Sequence, residues 1–490
     1  MKNENWNRSE PMSTVDCAWL RMERPTNLIT ITALLRFAEP LDFERVRSTV
    51  EHRLLRFERF RQRLAEPKGR LGLPRWVFDP FFNLDAHLIR SRLRHGDEFE
   101  LQRLLGDLMS VPLEATRPLW QMHLIDNVQG GSAIICRLHH CIADGIALAK
   151  VLLSLTDEEA TAATVTSLPV EGPAPARRPR RSSLKRALKL GGVIVEGGRS
   201  LLRDPGWSLR CGASAARALA KLAILPADPR SALKGECGVA KYAAWSAPIP
   251  LREVKAIGQA VGGTVNDVLV SAIAGALRQQ LARRCDRAIY DSEIRAVVPV
   301  DLRRPEEQNG LGNRFGLLFL PLPVQIPEPA HRLWELKHRM TELKRSPEAG
   351  VVLGVLRAMG AGGWTFEKAV MSLFARKATL VLTNVPGPKQ PRFLAGKRIQ
   401  DLVFWVPQPA GLGLGISIFS YAGEIRVGVA SDARLLPDPE TFVADFQREI
   451  EALRESVTPL MKPAPRLERA AASVRSVPVE RGEGMGASPE

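Results

Sequence analysis

"SAIICRLHHCIADGIALAKVLLSL", Ser132 to Leu155, changes its period in the middle. Ser132–Leu138 is a short apolar run behind the turn residues Gly130 and Gly131, the pattern of a buried strand. From Asp144 onward, Ile146, Val151, Leu152 and Leu155 follow helical spacing. Two histidines stand between them. Neighbouring side chains on extended backbone point to opposite sides, so His139 and His140 are expected to do different jobs, one facing packing and the other a site. Asp144, at the mouth of the helix, gains from the helix dipole. Gly145 would let the chain turn sharply without a Cβ.

The same strand–helix grammar extends along the chain. Leu28–Phe37 reads as a buried strand, and Asp42–Leu64 as a helix with a charged outer face. A second α/β region starts near Cys237. Its strongest helix, "GGTVNDVLVSAIAGALRQQLARR", has Thr264 as cap with Asp267 three residues on. Ile294–Arg303, Ala378–Val385 and Leu414–Tyr421 read as strands, the last closing a hairpin across Ala422–Gly423. The expected organisation is an N-terminal domain over 1–156, a basic Pro/Arg-rich linker over 157–236, a C-terminal domain over 237–461 and a disordered tail over 462–490. Within the linker, Leu184, Leu188, Val195 and Leu202 give Ser183–Asp204 an apolar stripe, against which stand two Gly-Gly pairs.

Composition bounds the classes. The 490 residues are enough for roughly two or three domains, and 45% hydrophobic with 25% charged residues is the balance of a soluble globular chain. The net charge of +16 and sequence pI near 10.0 favour anionic partners. Nucleic acid is disfavoured, because the basic residues are not interleaved with aromatics and no zinc-finger spacing occurs. The six scattered cysteines form no CxxC pair, which fits free thiols in a reducing compartment. No apolar signal segment opens the chain and no run of about 18 apolar residues appears. The expectation is a cytoplasmic protein that spans no membrane.

A metal reading would gather His139, His140, Asp144 and Cys141. Adjacent histidines make poor joint ligands, so no metal is expected. The ordered set of short stretches points elsewhere. HHxxxDG is shared by coenzyme-A-dependent acyltransferases and peptide condensation domains. Together with "PMSTVDCAWLRMERPTNLITITALLRF", "RPLW" (Arg117–Trp120), "VNDVLV", "VPVDLR", "LGNRFG" and "TNVPGP", it makes the chain resemble the bacterial wax ester synthase/diacylglycerol acyltransferase family over about residues 11 to 460, the linker excepted. Cys141 stands where that family often has alanine.

The resemblance implies an α/β fold of two chloramphenicol-acetyltransferase-like domains, each a mixed sheet with helices, and an active-site tunnel at their interface. It implies transfer of a long-chain acyl group from acyl-CoA, a co-substrate rather than a resident cofactor, to diacylglycerol or a fatty alcohol. His140 would be the base, because a neutral imidazole suits proton removal from a hydroxyl. No GxSxG elbow argues for a serine hydrolase. Asp144 would be architectural, paired with Arg303. Asn266 is either a donor to the developing oxyanion or a first-turn helix residue, and Asp267 is better read as a cap. Trp120 is core packing or a substrate contact. Asn384, Pro386 and Gly387 would shape a crossover or tunnel wall. Which residues hold CoA is not legible. Arg177, Arg178, Arg180, Arg181, Lys185, Arg186 and Lys189 could dock on an anionic membrane or lipid-droplet surface, at roughly 1 kcal/mol per residue. The rivals are a condensation-type enzyme using carrier-bound acyl groups and a non-catalytic lipid-droplet-binding protein.

Overall fold

The computed structural model describes residues 9–66, 73–160, 225–286, 293–301, 313, 315–344 and 364–461. The basic cluster at 177–189, the stripe at 183–204, the tail from 462 and Arg303 lie outside the described residues. In the first half the chain runs β1 (Ser9–Pro11), α1 (Thr14–Met22), β2 (Thr30–Phe37), α2 (Phe43–Arg53), β3 (Gln62–Ala65), β4 (Arg75–Phe78), β5 (Leu88–Arg92), α3 (Glu98–Ser110), β6 (Trp120–Val128), β7 (Gly131–His139) and α4 (Gly145–Ser154). The second half supplies β8 (Lys241–Trp245), β9 (Ile249–Pro250), α5 (Leu251–Ala260), α6 (Val265–Arg283), β10 (Ile294–Asp301), β11 (Phe315–Leu322), α7 (Pro329–Lys344), α8 (Trp364–Lys377), β12 (Leu380–Pro386), β13 (Phe393–Leu394), β14 (Lys397–Arg398), β15 (Asp401–Trp405), β16 (Leu414–Tyr421), β17 (Glu424–Asp432) and α9 (Pro439–Met461).

Two mixed sheets carry the architecture. One has the order β15-β2-β7-β6-β5, the other β11-β10-β12-β16-β17-β8 with β9 on β17. Strand alternation decides what each face touches. In the second sheet Leu380, Leu382, Ile416, Ile418, Val427 and Val429 pack beneath α5, α6, α7 and α9. Their neighbours Val381, Val385, Phe315, Leu317 and Phe419 turn the other way and share one core with Trp19, Cys141, Leu148 and Leu138 of the first half. The two halves therefore meet through side chains that their own sheets present.

Four points differ from the sequence reading. The helix begun at Phe43 stops at Arg53 and gives way to tight turns and then β3, because Phe60 and Gln62 are buried by that change of direction. The stretch before Cys237 belongs to the second half: the buried Asp228 carboxylate accepts from Arg295 N at 3.1 Å and from the Thr379 hydroxyl at 2.5 Å. Asp157 is likewise tied in, exchanging backbone bonds with Phe393 at 2.7 and 2.9 Å and pairing with Arg53 at 2.8 Å. Finally, β15 leaves the C-terminal segment and pairs antiparallel with β2, so the first sheet is completed from the second half of the chain.

Among the described residues no single helix is long and apolar enough to cross a membrane.

Candidate active site

The two imidazoles lie where strand alternation puts them. His139 ends β7 opposite Thr30, on the sheet face shared with Thr32 and Arg137. The Cys141 amide donates to His139 Nδ1 at 3.1 Å, so the ring proton sits on Nε2, 3.0 Å from Glu23 Oε2. The same carboxylate oxygen accepts from the Ile29 amide at 2.9 Å. Burial pushes the Glu23 carboxyl up, but the His139 contact and the Ile29 amide outweigh it and hold the pKa below its ordinary value. His139 is thus held at Nδ1 by the Cys141 amide, with the Glu23 carboxylate 3.0 Å from Nε2.

His140 faces the opposite side. Its ring stacks on Trp19 of α1 at 4.4 Å between centroids, and Phe315 of β11 lies 5.7 Å away. Trp19 and Phe315 also touch each other, at 5.6 Å. One aromatic comes from each half of the molecule. Burial pulls the imidazole pKa down to about 4, with the Asp144 charge opposing it. The ring is therefore neutral at pH 7. Its backbone carbonyl accepts from Asn313 Nδ2 at 2.9 Å, and the same nitrogen donates to Asp16 Oδ1 at 2.7 Å.

Asp144 caps α4. Its side chain accepts from the Ala147 amide at 3.0 Å while the residue itself is buried. Gly145 corrects its sequence reading: it has no positive φ, and a Cβ there would meet nothing within 4 Å among the described residues. The glycine leaves space beside the capping carboxylate instead of serving a sharp turn. Cys141 is buried, and burial pushes its thiol well above the ordinary range, so it is not a nucleophile at neutral pH.

The remaining expected residues divide. Trp120 is 1% exposed, its indole N–H donates to Phe60 O at 2.8 Å, and it stacks on His87 at 4.7 Å. It belongs to the core, the packing reading of the two that the sequence offered, and is not a substrate contact here. Asp267 forms a full capping box: Thr264 N and Oγ1 each lie 2.8 Å from Asp267 Oδ2. Asn384 Nδ2 donates to Asn266 Oδ1, tying the start of α6 to the end of β12. Asn384 alternates with Val385, so it faces the helix layer and not the shared core around His140. Pro386 and Gly387 close β12 where the chain leaves the second sheet for β15. A Cβ on Gly387 would fall 2.3 Å from Ser420 O, so only glycine fits that strand contact.

Sequence reasoning missed Asp16, Trp19, Glu23, Asn313 and Phe315 as neighbours of the histidine pair. Asp16 follows Ser13 by three residues, and Ser13 Oγ does accept from its amide at 3.1 Å, so in sequence it looks like a cap and nothing more. Asn313 sits inside "LGNRFG" with no local pattern to assign it a partner. No group of three or more His, Cys, Asp or Glu side chains suited to a metal ion occurs among the described residues.

Comparison with known proteins places this arrangement. Residues 12–269 match the family model of the wax ester synthase/diacylglycerol acyltransferase catalytic domain, and residues 311–454 that of its C-terminal domain. A Mycobacterium tuberculosis protein named as a diacylglycerol O-acyltransferase is 29% identical over 441 residues, covering 87% of this chain and 92% of the relative. A second protein of that organism with the same kind of name is 30% identical over 417 residues, covering 81% and 87%. The solved wax ester synthase/diacylglycerol acyltransferase of Marinobacter aquaeolei superposes with a TM-score of 0.66 at 21% identity, over 91% of this chain and 99% of that one. The first condensation domain of the calcium-dependent antibiotic synthetase superposes at 0.60 and 16% identity, over 92% and 97%.

Proposed function

The chain belongs to the wax ester synthase/diacylglycerol acyltransferase family, and from that premise we propose that it joins a long-chain acyl group from acyl-CoA to diacylglycerol or a fatty alcohol with His140 as general base. The family is one of acyltransferases, so the products are triacylglycerol or wax esters.

The observation that carries the role of His140 is its contrast with its neighbour. It is the imidazole of the pair that is lodged between aromatics of both halves, and it is not the one set against Glu23. In the reaction the acceptor hydroxyl gives its proton to the ring as its oxygen forms a bond to the thioester carbonyl carbon. The tetrahedral oxyanion then collapses, the C–S bond breaks, and the CoA thiolate takes the proton back from the ring. A pKa of about 4 makes a ready but weak base. The nearby Asp144 charge lowers the cost of the imidazolium as it forms. The apolar surround excludes water, which would otherwise compete with the alcohol and hydrolyse the thioester.

The test supplies labelled palmitoyl-CoA with diacylglycerol and with hexadecanol in separate assays. His140→Ala should lower ester formation about 10³-fold while the protein keeps its fold. Unchanged turnover would remove the base. Free acyl-CoA as donor also separates this reading from the condensation-type one, which requires a carrier-bound acyl group. The charge of +16 supports association with anionic lipid. Salt-sensitive binding to anionic vesicles, absent with neutral ones, supports it; equal binding to both refutes it.

A further inference from the structure

Like the Trp19 indole Nε1, the buried atoms His140 Nδ1 and Asn313 Oδ1 beside the reacting ring have no hydrogen-bond partner among the described residues. They belong to side chains already joined, since Asn313 Nδ2 donates to the His140 carbonyl at 2.9 Å. The other bond of that nitrogen goes to Asp16 Oδ1 at 2.7 Å. Asp16, Asn313 and His140 are 8%, 6% and 7% exposed, so water has little access to any of them. Leaving a buried donor and acceptor both unmade is costly, and two such atoms in adjoining groups have an obvious remedy in each other.

We propose that Asn313 is the positioning residue of the base: its Oδ1 accepts from His140 Nδ1–H, and Asp16 holds the amide in the orientation that allows it. This rests on the reading of His140 as the base. The amide cannot turn over, because both bonds of Nδ2 go to acceptors and a flipped oxygen would face two oxygens. Proton placement follows. With Nδ1 carrying hydrogen, Nε2 keeps its lone pair for the acceptor hydroxyl. When the imidazolium forms, Nδ1–H already has its acceptor and nothing need reorganise. The Asp144 charge, the ring's own backbone carbonyl and, to a smaller extent, Asn313 pull the basicity of the ring upward against burial, the direction a contact with Asn313 demands. The charged or titratable groups acting on the ring are Asp144 at the head of α4 and His139 beside it; Asp16 of α1 reaches it through Asn313. The arrangement also spans the halves, with Asp16 and His140 from the first and Asn313 from the second. The base is therefore set only when the two are assembled.

The first test uses the unaltered enzyme. Nitrogen NMR of histidine-labelled protein, with the His140 signal identified by its loss in His140→Ala, should show the Nδ1–H tautomer at pH 7. An Nε2–H tautomer overturns the inference without any variant of Asn313. The second test is kinetic. Asn313→Ala should lower kcat about 10²-fold, leave KM for palmitoyl-CoA within about threefold, and move the acid limb of kcat/KM to lower pH, because the imidazolium loses its acceptor. Asn313→Asp returns an acceptor with charge and should move that limb to higher pH. Limbs that stay in place in both variants sink the assignment, since a residue acting only as a latch would lower rates without moving them. If Asn313→Ala does not fold, Asn313→Asp and the tautomer decide. The failures separate cleanly. An active His140→Ala ends the base reading itself; an inactive His140→Ala beside Asn313 variants of ordinary rate and pH profile ends only this inference.

Discussion

The two sides of β7 at its histidine end make an instructive pair. On one side His139 is closed: Cys141 N holds one nitrogen, Glu23 faces the other, and Thr32 and Arg137 line the same sheet face. On the other side His140 is packed against Trp19 and Phe315, with the Asp144 charge nearby. The residues are identical and adjacent, yet a rotation of about half a turn along extended backbone sets one against a carboxylate and the other in an aromatic cage. Chemistry here is assigned by environment and not by residue type.

That contrast can be broken in graded ways. The largest effect should come from treating the two rings alike. His140→Ala loses about 10³-fold in turnover with little loss of stability. His139→Ala should instead remove the imidazole that faces the buried side of Glu23, destabilise the fold by about 1–3 kcal/mol and lower turnover far less. Assays run beside thermal melts check both, and equal kinetic losses would erase the distinction.

Asp144→Asn comes next. Asparagine still caps α4, so the melt should shift by less than about 1 kcal/mol. The charge facing the imidazolium is gone, and turnover should fall about tenfold. Turnover and stability both unchanged would make Asp144 a cap alone.

A third effect is in pH. Burial holds His140 and His123 down to about 4, against 6.5 for an exposed imidazole. Between those values the unfolded chain takes up protons that the folded chain refuses. Stability should be full above about pH 6.5 and decline as pH falls toward 4, by on the order of 1–3 kcal/mol per imidazole. Melts of the wild type against His123→Gln across that window measure the His123 share. The acid limb of kcat/KM should likewise lie well below 6.5, and a limb at 6.5 would show a solvated His140.

The smaller effects sit away from the pair. Trp120→Phe removes the bond to Phe60 O and some buried volume, and should cost about 1–3 kcal/mol with activity per folded molecule unchanged. Asn384→Ala, whose Asn266 contact is exposed, should cost less than about 1 kcal/mol and leave the pH profile alone. A rate loss in Asn384→Ala beyond its stability cost would bring that pair back toward the chemistry.

Much of the fold was legible because period and burial are local signals. Ile134, Cys136 and Leu138 alternate with Ala133, Ile135 and Arg137, and Val151, Leu152 and Leu155 follow a helical face, as a single window of sequence shows. The capping box at Thr264 and Asp267 is also a spacing rule. Asp42–Leu64 misled for the same reason: its helical spacing continues past Arg53, but burial of Phe60 in the tertiary core ends the helix there. Asp228 lies in a stretch without period, and only its partners Arg295 and Thr379, far along the chain, show that it is packed.

The sequence by itself determined that the chain is α/β, that two neighbouring histidines end a strand and so face apart, and that an aspartate caps the helix beyond them. These follow from dihedral geometry and spacing within a few residues. Only the tertiary structure decided which histidine meets a carboxylate and which meets Trp19 and Phe315, that Asn313 grips the His140 carbonyl from 173 positions away, and that β15 completes the first sheet. Such partners are chosen by where chain segments lie after burial, and a contact between distant segments leaves no mark on the local pattern of either.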